Sequence, residues 1–342
     1  MTPQTLSKNA NLATDLKARI SSIIAARETG VLLALLVICV FLTFATSSFL
    51  TVRNLLNVGR QISLLGIMAI GMTFVLVSRE VDLSVGSTYA ISGLVTGMLI
   101  VRGSALIPAL SAGLLIGMVI GTMNGVLSTY GKLPSFIATL GMLSVVRGAA
   151  LLITDGQPVT VDTTRGGRSE VVGQFYQLGQ GQLFGMIPML LVCFLIVAAI
   201  SWLVLAKTTF GFRVYAVGGS EKAARLSGIQ VFHTKILTFA LMGLLSAIAG
   251  ILSLAFLPSG QAGRTGVGLE LDVIAAAIVG GASLSGGEGT ILGTIFGTLI
   301  IGILRNGLVL LSISPFWQTT AIGLVIICAV GIDKWTGLRR SQ

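Results

Sequence analysis

Long apolar runs separated by short polar loops recur along the chain, and they constrain its fold more than any other feature. A membrane-crossing helix needs about 20 apolar residues, and the runs of that kind fall near 30–50, 62–78, 85–101, 105–127, 136–153, 183–206, 236–257, 273–286, 290–311 and 317–332. Charged residues make up only 10% of the chain, whereas a soluble domain carries about a quarter. The sequence therefore predicts an all-α polytopic membrane protein with about ten transmembrane helices, and it excludes a soluble enzyme, a disordered scaffold and a free nucleic-acid binder.

The positions of Lys and Arg predict how these helices are oriented. Residues 1–29 are polar and basic, and the run 30–50 is long enough to span, which favours an uncleaved first helix over a signal peptide. With the N-terminus inside, most Lys and Arg residues fall in inside segments, as the positive-inside rule requires. We therefore expect a cytoplasmic N-terminal segment (1–29), a transmembrane domain (30–332) and a cytoplasmic C-terminal tail (333–342).

The order of the spans predicts an internal repeat. Two four-helix blocks, 62–153 and 236–332, start from opposite sides of the membrane and have similar lengths. Such blocks form an inverted-topology repeat, which places a transport path where the two halves meet. No residue-level repeat accompanies them, so the prediction depends on counting spans. Glycines at small-xxx-small spacing indicate close helix packing, as at Gly113, Gly117 and Gly121, and at Gly293 and Gly297.

Each block contains an apolar segment interrupted by polar or glycine residues, at 79–87 and at 269–287. Unwound backbone at membrane depth is tolerated only where protein or a watery cavity satisfies it, so these interruptions point to a translocation path. The candidate path residues are polar groups in the first interruption and in several spans: Glu80, Asp82, Ser84, Asn124, Asn306 and Gln318. The alternatives are a helix cap formed by Asp82 or Ser84, and helix-to-helix hydrogen bonds made by the amide side chains.

Charged and reactive side chains inside the spans are few. Arg147 and Arg305 fall within predicted spans, where an unpaired charge costs at least a few kcal/mol, so each must face a partner or a cavity. The only histidine, His233, has no cysteine or carboxylate cluster around it, which disfavours a membrane enzyme. We expect no metal site and no cofactor, since the cysteines lie in apolar runs without metal-ligand spacing: Cys39, Cys193 and Cys328.

The longest inside loop, 207–235, contains a short capped helix. Ser220 is a suitable N-cap, Glu221 suits the first turn, and Gly228 ends the helix. About two helical turns are unstable alone in water, so this helix needs a surface to rest on. It is either packed against its own bundle or a docking site for a soluble cytoplasmic subunit, and the residues assigned to coupling are Gly218, Gly219, Glu221, Ala223, Ala224, Arg225, Leu226 and Gly228.

The source of energy is also constrained by the sequence. Residues 284–288 read Leu-Ser-Gly-Gly-Glu, similar to the signature of ABC ATPases, but the chain has no G-x-x-x-x-G-K-[ST] phosphate loop. We therefore predict a glycine-rich membrane turn there and no ATP hydrolysis by this chain. An ion-coupled secondary transporter of a small polar solute is the alternative. Such carriers usually place carboxylates within spans, whereas the acidic residues here fall in loops or at span ends.

Taken together, these segments resemble the permease subunits of bacterial ABC importers for monosaccharides, of the ribose, xylose and arabinose type. The resemblance is collinear from about residue 50 to residue 335. The matching stretches are Asp82-Leu83-Ser84-Val85-Gly86-Ser87, Pro134 to Gly141, Gly211 to Ile229, Glu270 to Ala276, Gly280 to Gly287, Asn306-Gly307-Leu308 and Trp317-Gln318.

The resemblance implies a multi-subunit assembly in the bacterial inner membrane. Two copies of this chain, in contact with lipid, would stand between a tandem-domain ABC ATPase and a periplasmic sugar-binding protein, with no nucleic-acid partner. ATP would be used by the partner subunit, and helix 220–228 would be the coupling helix. Arg79-Glu80-Val81 departs from the Gly-Gly-Ile of many relatives. Xylose-type permeases are similar in having an acidic residue at this position. Their middle region, however, is longer than the 154–182 loop of this chain. The resemblance therefore implies a pentose such as xylose or ribose as the substrate.

Overall fold

The structure is a computed structural model that describes residues 27–164 and 166–314, together with residues 317, 320, 323, 324, 327 and 331. The predicted cytoplasmic segment 1–29 lies almost entirely outside the described residues, and the tail 333–342 lies outside them altogether. The predicted last span near 317–332 is described only at isolated positions, and Gln318 is not among them.

The described residues form twelve helices and four two-residue strands. The helices are α1 Arg27–Ala45, α2 Val52–Val77, α3 Val85–Val101, α4 Leu106–Thr129, α5 Ser135–Thr154, α6 Ser169–Gln180, α7 Met189–Lys207, α8 Thr209–Gly219, α9 Glu221–Leu226, α10 Val231–Phe256, α11 Leu269–Val279 and α12 Ile291–Leu310. Strands β1 Val159–Thr160 and β4 Ser259–Gly260 pair antiparallel, as do β2 Gln182–Leu183 and β3 Ile187–Pro188. The chain is therefore a helical membrane protein, as predicted.

Six of these helices are long and apolar enough to cross a membrane: α2, α4, α5, α7, α10 and α12. Two shorter apolar helices, residues 30–45 of α1 and the whole of α3, accompany them. The predicted span 273–286 is instead broken. Only the 11-residue helix α11 forms there, and at about 1.5 Å per residue it covers roughly half of a hydrocarbon core. Eight of the ten predicted spans thus coincide with a helix over most of their length in the described part of the chain, and α11 covers part of a ninth.

Hydroxyl side chains start several helices where the sequence places them. Thr51 accepts a hydrogen bond from the Asn54 amide and begins α2 ten residues earlier than the predicted start at residue 62. Thr290 accepts one from the Gly293 amide at the start of α12. Such caps satisfy amides that have no partner within the helix. The prediction of α2 was too short because Arg53, Asn54 and Arg60 interrupt the apolar pattern of its first turns.

Helices α2 and α10 lie at the centre of the bundle, and most of each helix is buried. They pack against each other, and each also reaches across to the other block. Helix α10 packs along α3 and α4, whereas α2 packs against α11 and α12. This exchange is what two interleaved blocks of opposite topology produce. Helices α4, α5 and α7 form an outer wall, and only 28% of each of these spans is buried.

Glycines bring the two blocks into close contact. A Cβ atom on Gly117 would lie 2.5 Å from the Gly243 carbonyl oxygen of α10, and one on Gly121 would overlap the Phe239 carbonyl oxygen. Within the second block, a Cβ atom on Gly293 of α12 would likewise overlap the Gly280 carbonyl oxygen, which follows α11. Only glycine permits these backbones to approach so closely, which confirms the packing that was predicted from the small-xxx-small spacing.

Candidate functional site

At the first interruption, residues 78–84 form the backbone that connects the end of α2 to the start of α3, inside the bundle. The Ser78 hydroxyl lies 3.4 Å from that of Thr238 on α10. Tyr89, in the second turn of α3, lies beside Gly250 of α10, where a Cβ atom would overlap the Tyr89 carbonyl oxygen. Thr238 and Gly250 are about 18 Å apart along α10 at 1.5 Å per residue, so the chain advances by about that distance between Ser78 and Tyr89. The chain turns at Arg79, whose φ is 67°, and residues 80–84 then continue as irregular backbone to the start of α3.

The predicted residues Asp82, Ser84 and Asn124 meet at the start of α3. Asp82 Oδ1 accepts hydrogen bonds from the Ser84 amide at 2.8 Å and the Ser84 hydroxyl at 2.7 Å. The Asn124 side-chain amide, on α4, donates to both Asp82 oxygens at 3.3 Å and to Ser84 Oγ at 2.8 Å. All three side chains are buried. The Asn124 contacts are those of the helix-to-helix alternative, and they hold the beginning of α3 against α4. The Ser84 side chain makes no cap hydrogen bond to α3.

Two hydroxyls of α5 hold the same segment from the other side. The Leu83 amide donates to Thr139 Oγ1 at 3.1 Å, and the Val81 amide donates to Ser135 Oγ at 3.3 Å. The irregular backbone therefore finds partners within the protein, as a segment at membrane depth requires. Neither α5 residue was predicted as a site residue, although both belong to the Pro134 to Gly141 stretch.

The short helix α11 begins where α3 begins. A Cβ atom on Gly86 of α3 would overlap the Gly266 carbonyl oxygen and lie 2.8 Å from Glu270 Oε2, in the first turn of α11. One short helix from each block thus starts at a shared point inside the bundle. A carboxylate is favourable there because helix N-termini carry partial positive charge. Glu270 was absent from the predicted site because nothing in its local sequence shows that Gly86 lies beside it.

An open cavity of about 300 Å³ adjoins this point, between α3, α10 and the loop that leads into α11. Its polar lining includes the hydroxyl-bearing residues Tyr89, Ser253, Ser259 and Thr265. These residues were also missed, since Tyr89 is far in sequence from the other three, which lie between residues 253 and 265. A second, more polar pocket of about 470 Å³ lies at the N-terminal end of α2 and is lined by Ser48, Thr51, Arg53, Asn54, Asn57 and Arg60.

The intramembrane arginines both have partners, as predicted. Arg147 on α5 donates to the carbonyl oxygens of Ala262 at 2.7 Å and Thr265 at 2.5 Å, in the loop before α11. Arg305 on α12 forms an ion pair with Asp272 on α11, with 2.5 Å between Nη2 and Oδ2. The two arginines therefore fix the loop and the short helix of the second block.

The predicted path residue Asn306 forms a helix-to-helix pair. Its side-chain amide exchanges hydrogen bonds of 2.8 and 3.0 Å with that of Asn54 on α2. This is the alternative that the sequence left open. Asn54 also lines the polar pocket at the N-terminal end of α2, so the pair lies at the opposite end of the bundle from residues 207–235.

Residues 280–290, which include the glycine-rich end of the second interruption, meet the first interruption at the end of the bundle that carries residues 207–235. The Gly287 amide donates to the Val77 carbonyl at 2.9 Å, and a Cβ atom on Gly218 would overlap that same carbonyl oxygen. The Tyr215 hydroxyl donates to the Gly289 carbonyl at 2.6 Å. Residues 284–288 form the predicted glycine-rich turn, with φ values of 81° and 76° at Gly286 and Gly287.

The short helix α9 is capped as predicted. Ser220 Oγ accepts from the Ala223 amide at 3.2 Å, and Gly228, with a φ of 80°, follows the last turn. Ala224 is buried against Val217 and Val231. In contrast, Leu226 is 82% exposed. One face of α9 therefore rests on the bundle, whereas the other presents an apolar side chain to the surroundings.

Ionic contacts join α9 to the first interruption. Lys235 Nζ, on α10, lies 2.7 Å from Glu80 Oε1 and 3.0 Å from Glu221 Oε2. Arg225 Nη2 lies 3.2 Å from the other oxygen of Glu221. The hydrogen bond from Lys235 is the main cause that lowers the pKa of Glu221, and Arg225 adds to the effect. Glu80, predicted as a path residue, thus contacts the coupling segment.

Comparison with known proteins identifies the class. A family model described as "Branched-chain amino acid transport system / permease component" matches residues 54–330. The chain belongs to this permease family. The match spans both interruptions, α9 and the close-packed glycines, and it confirms the resemblance to ABC importer permeases that the motifs indicated.

Relatives of this permease are similar over nearly their whole length. The ribose import permease protein of Bacillus subtilis is 42% identical over 90% of this chain and 93% of its own. That of Escherichia coli K12 is 41% identical over 90% of this chain and 94% of its own. The L-arabinose transport system permease protein of Escherichia coli K12 is 38% identical over 90% of both chains.

The permease brings together some of its predicted site residues and separates others. Asp82, Ser84 and Asn124 form one cluster, whereas Glu80 lies at the α9 end and Asn306 at the opposite end. The coupling residues within α9 are Glu221, Ala223, Ala224, Arg225 and Leu226. Gly218 and Gly219 end α8, where Gly218 packs against Val77, and Gly228 follows α9. Among residues 27–164 and 166–314, no group of three or more His, Cys, Asp or Glu side chains is placed to hold a metal ion.

Proposed function

We propose that this permease forms the membrane path for a monosaccharide, with a pentose such as xylose or ribose favoured, in an ATP-driven importer of the bacterial inner membrane. One observation carries the proposal: relatives named for ribose import match the chain over nearly their whole length at about 40% identity. The L-arabinose permeases, at 36 to 38% identity, extend the same pattern to a second pentose.

The route would pass three polar regions in turn. The polar pocket beside the Asn54–Asn306 pair would form the outer mouth. The cavity at Tyr89, where α3 and α10 of the two blocks meet, would follow. The Asp82 cluster would set the inner wall by fixing the start of α3. Glu80 would lie at the inner end, and Gln318, outside the described residues, completes the predicted set.

Helix α9 would dock the energy source. Its exposed Leu226 and Arg225 offer an apolar contact and a positive charge to a cytoplasmic partner, and Ala224 anchors the helix to the bundle. The chain lacks a G-x-x-x-x-G-K-[ST] phosphate loop, so ATP would be hydrolysed by a tandem-domain ATPase beneath it. Residues 1–29 and 333–342 would then lie in the cytoplasm, on the same side as loop 207–235.

The complete importer would contain two copies of the permease and a periplasmic sugar-binding protein on the side of the outer mouth. The binding protein would select the sugar, and the path would need only to admit it. The alternative is an ion-coupled carrier that works alone. It is disfavoured because the buried carboxylates of Asp82 and Asp272 are engaged by Ser84, Asn124 and Arg305, which leaves them tied to structural partners.

The experiment is reconstitution of the purified assembly. The tagged permease would be purified in mild detergent with the proteins that accompany it and placed in vesicles. ATP-dependent uptake of radiolabelled ribose, xylose and L-arabinose would then be measured with the binding protein present. We expect uptake of at least one pentose that requires ATP and is abolished by vanadate, with no loss when a protonophore collapses the proton gradient.

The opposite pattern of inhibition would indicate an ion-coupled secondary transporter. Uptake by the permease alone that resists vanadate and stops with the protonophore would overturn the proposal. An assembly that takes up other sugars but none of the three pentoses would leave the importer class standing and contradict the pentose assignment.

A further inference from the structure

We propose that Lys235 is a positioning residue in an ionic relay that links ATPase docking at α9 to the start of α3. The inference rests on the proposed function, because it assumes that α9 receives the ATPase. The relay is defined by four side chains, Glu80, Lys235, Glu221 and Arg225. No local sequence pattern reveals it, since its members come from three separate segments.

The four charges alternate along a continuous line. Glu80, in the first interruption, pairs with Lys235 on α10 at 2.7 Å. Lys235 pairs with Glu221 on α9 at 3.0 Å, and Glu221 pairs with Arg225 at 3.2 Å. Two negative and two positive groups therefore balance, and the single ammonium of Lys235 is shared between carboxylates of two different segments.

The side chains of the relay become less exposed from Arg225, on the surface, to Glu80, inside the bundle. The side chains of Lys235 and Glu80 are only 13% and 12% exposed, whereas that of Arg225 is 60% exposed. Arg225 is thus the end that a docking partner can reach, and Glu80 is the end that lies within the bundle. Screening by salt is weak for the inner pair and strong for the outer one.

Competition for shared charges gives the relay a direction. A carboxylate on the docked ATPase would attract Arg225 away from Glu221. Glu221 would then attract Lys235 more strongly, and Lys235 would loosen its hold on Glu80. Glu80 lies two residues before Asp82, whose hydrogen bonds fix the start of α3. Docking at the surface would therefore release the segment that positions α3.

The steric contacts nearby would keep this movement local. Gly218 and Gly287 clamp the Val77 carbonyl at the end of α2, and Tyr215 holds the Gly289 carbonyl. These contacts join α8 to the end of α2 and to residues 280–290 through backbone carbonyl groups. Each carbonyl keeps its own partner. The shared ammonium of Lys235 is the one contact among them that can pass from one partner to another.

The test uses the whole assembly in vesicles and measures how strongly the sugar-loaded binding protein, with ribose as the probe, stimulates ATP hydrolysis. Lys235→Met removes the shared charge, whereas Lys235→Arg keeps a cation for both carboxylates. Glu221→Gln neutralises the carboxylate that α9 contributes to Lys235. Lys222→Met is the matched control, since it removes an exposed lysine from the same helix.

We expect Lys235→Met and Glu221→Gln to lower this stimulation at least about fivefold, the lower end of ordinary coupling between sites. Both variants should retain the ATPase on purification. Lys235→Arg should keep most of the stimulation, and Lys222→Met should keep all of it. A Lys235→Met assembly with unchanged stimulation, or a Lys222→Met assembly with the same loss, would overturn the relay.

Leu226→Asp separates this inference from the proposed function. If docking occurs at α9, Leu226→Asp should release the ATPase on purification. Retention of the ATPase by Leu226→Asp, or an unaltered protein without sugar-dependent ATP hydrolysis, would contradict the proposed function itself. A failure confined to the Lys235 and Glu221 variants would leave docking at α9 intact and remove only the relay.

Discussion

Three charged side chains inside the bundle, Arg147, Asp272 and Asp82, have partners in other parts of the chain. Arg147 bonds two backbone carbonyls, Asp272 bonds Arg305, and Asp82 bonds a serine and an asparagine. Each arrangement joins a short or irregular segment to a long helix. Because an isolated ion is costly in an apolar interior, these pairs fix where the irregular segments lie.

Breaking the Asp272–Arg305 pair should therefore destabilise the protein. Arg305→Met leaves the buried Asp272 carboxylate without its cationic partner, and we expect a loss of about 3 kcal/mol in the free energy of unfolding. Denaturant unfolding of the purified permease in detergent micelles would measure it. Arg264→Met, at an exposed position in the loop before α11, is the control and should change the stability little.

The double variant Asp272→Asn with Arg305→Met checks the cause. Neutralising both partners removes the unpaired charge, so it should recover most of the stability lost by Arg305→Met alone. A double variant no more stable than Arg305→Met would show that the loss comes from packing rather than from the unpaired, buried charge of Asp272.

Helices pack at two different distances in this fold. Glycine faces on α4 and α10 bring their backbones into contact, whereas helices such as α5 carry glycines with open space around them. The close interface joins the first block to the second, so its geometry determines how the halves fit. A single methyl group is enough to disturb such an interface, since interiors are densely packed.

Gly121→Ala and Gly141→Ala compare the two kinds of glycine. A Cβ atom on Gly121 overlaps the Phe239 carbonyl oxygen, and one on Gly141 meets nothing within 4 Å. We expect Gly121→Ala to lower stability by about 1–3 kcal/mol, and Gly141→Ala to leave it unchanged or slightly raised. Thermal unfolding in detergent, followed by size-exclusion chromatography, would measure both. Equal unfolding midpoints for the two variants would contradict the close α4–α10 contact.

The bundle as a whole has a buried centre and an apolar outer wall. Helices α2 and α10 are mostly buried, whereas only 28% of each of the spans α4, α5 and α7 is buried. Lipid can cover part of this wall, and a second copy of the chain can cover another part. The proposed importer requires the second copy, because a tandem-domain ATPase offers two docking positions for α9.

Native mass spectrometry of the detergent-purified assembly tests the copy number. We expect one ATPase chain to be accompanied by two permease chains of 35.4 kDa each. Delipidation in a harsher detergent should leave the pair together if protein covers the shared wall. A complex with a single permease chain, in a preparation that retains the ATPase, would contradict the homodimer.

Local sequence signals predicted the parts of this fold that depend on local physics. Apolar length identified the spans, hydroxyl and glycine residues identified the ends of α9, and small-residue spacing identified the close interface. The depth at which α3 begins could not be predicted, because it depends on how residues 78–84 lie against α10. For the same reason Glu80 was assigned to the path, although Lys235, 155 positions away (235 − 80), holds its carboxylate.

The exchange of partners between the two blocks has a consequence for biosynthesis. Helix α10 supplies the surface on which α3 and α4 pack, yet it emerges from the ribosome long after them. Until then the newly made first block must expose its glycine faces, with Gly117 and Gly121 uncovered in the lipid. A chain truncated at residue 207 would therefore remain an unassembled substrate for membrane quality control, and the arrival of α10 would be the step that commits the protein to its native form.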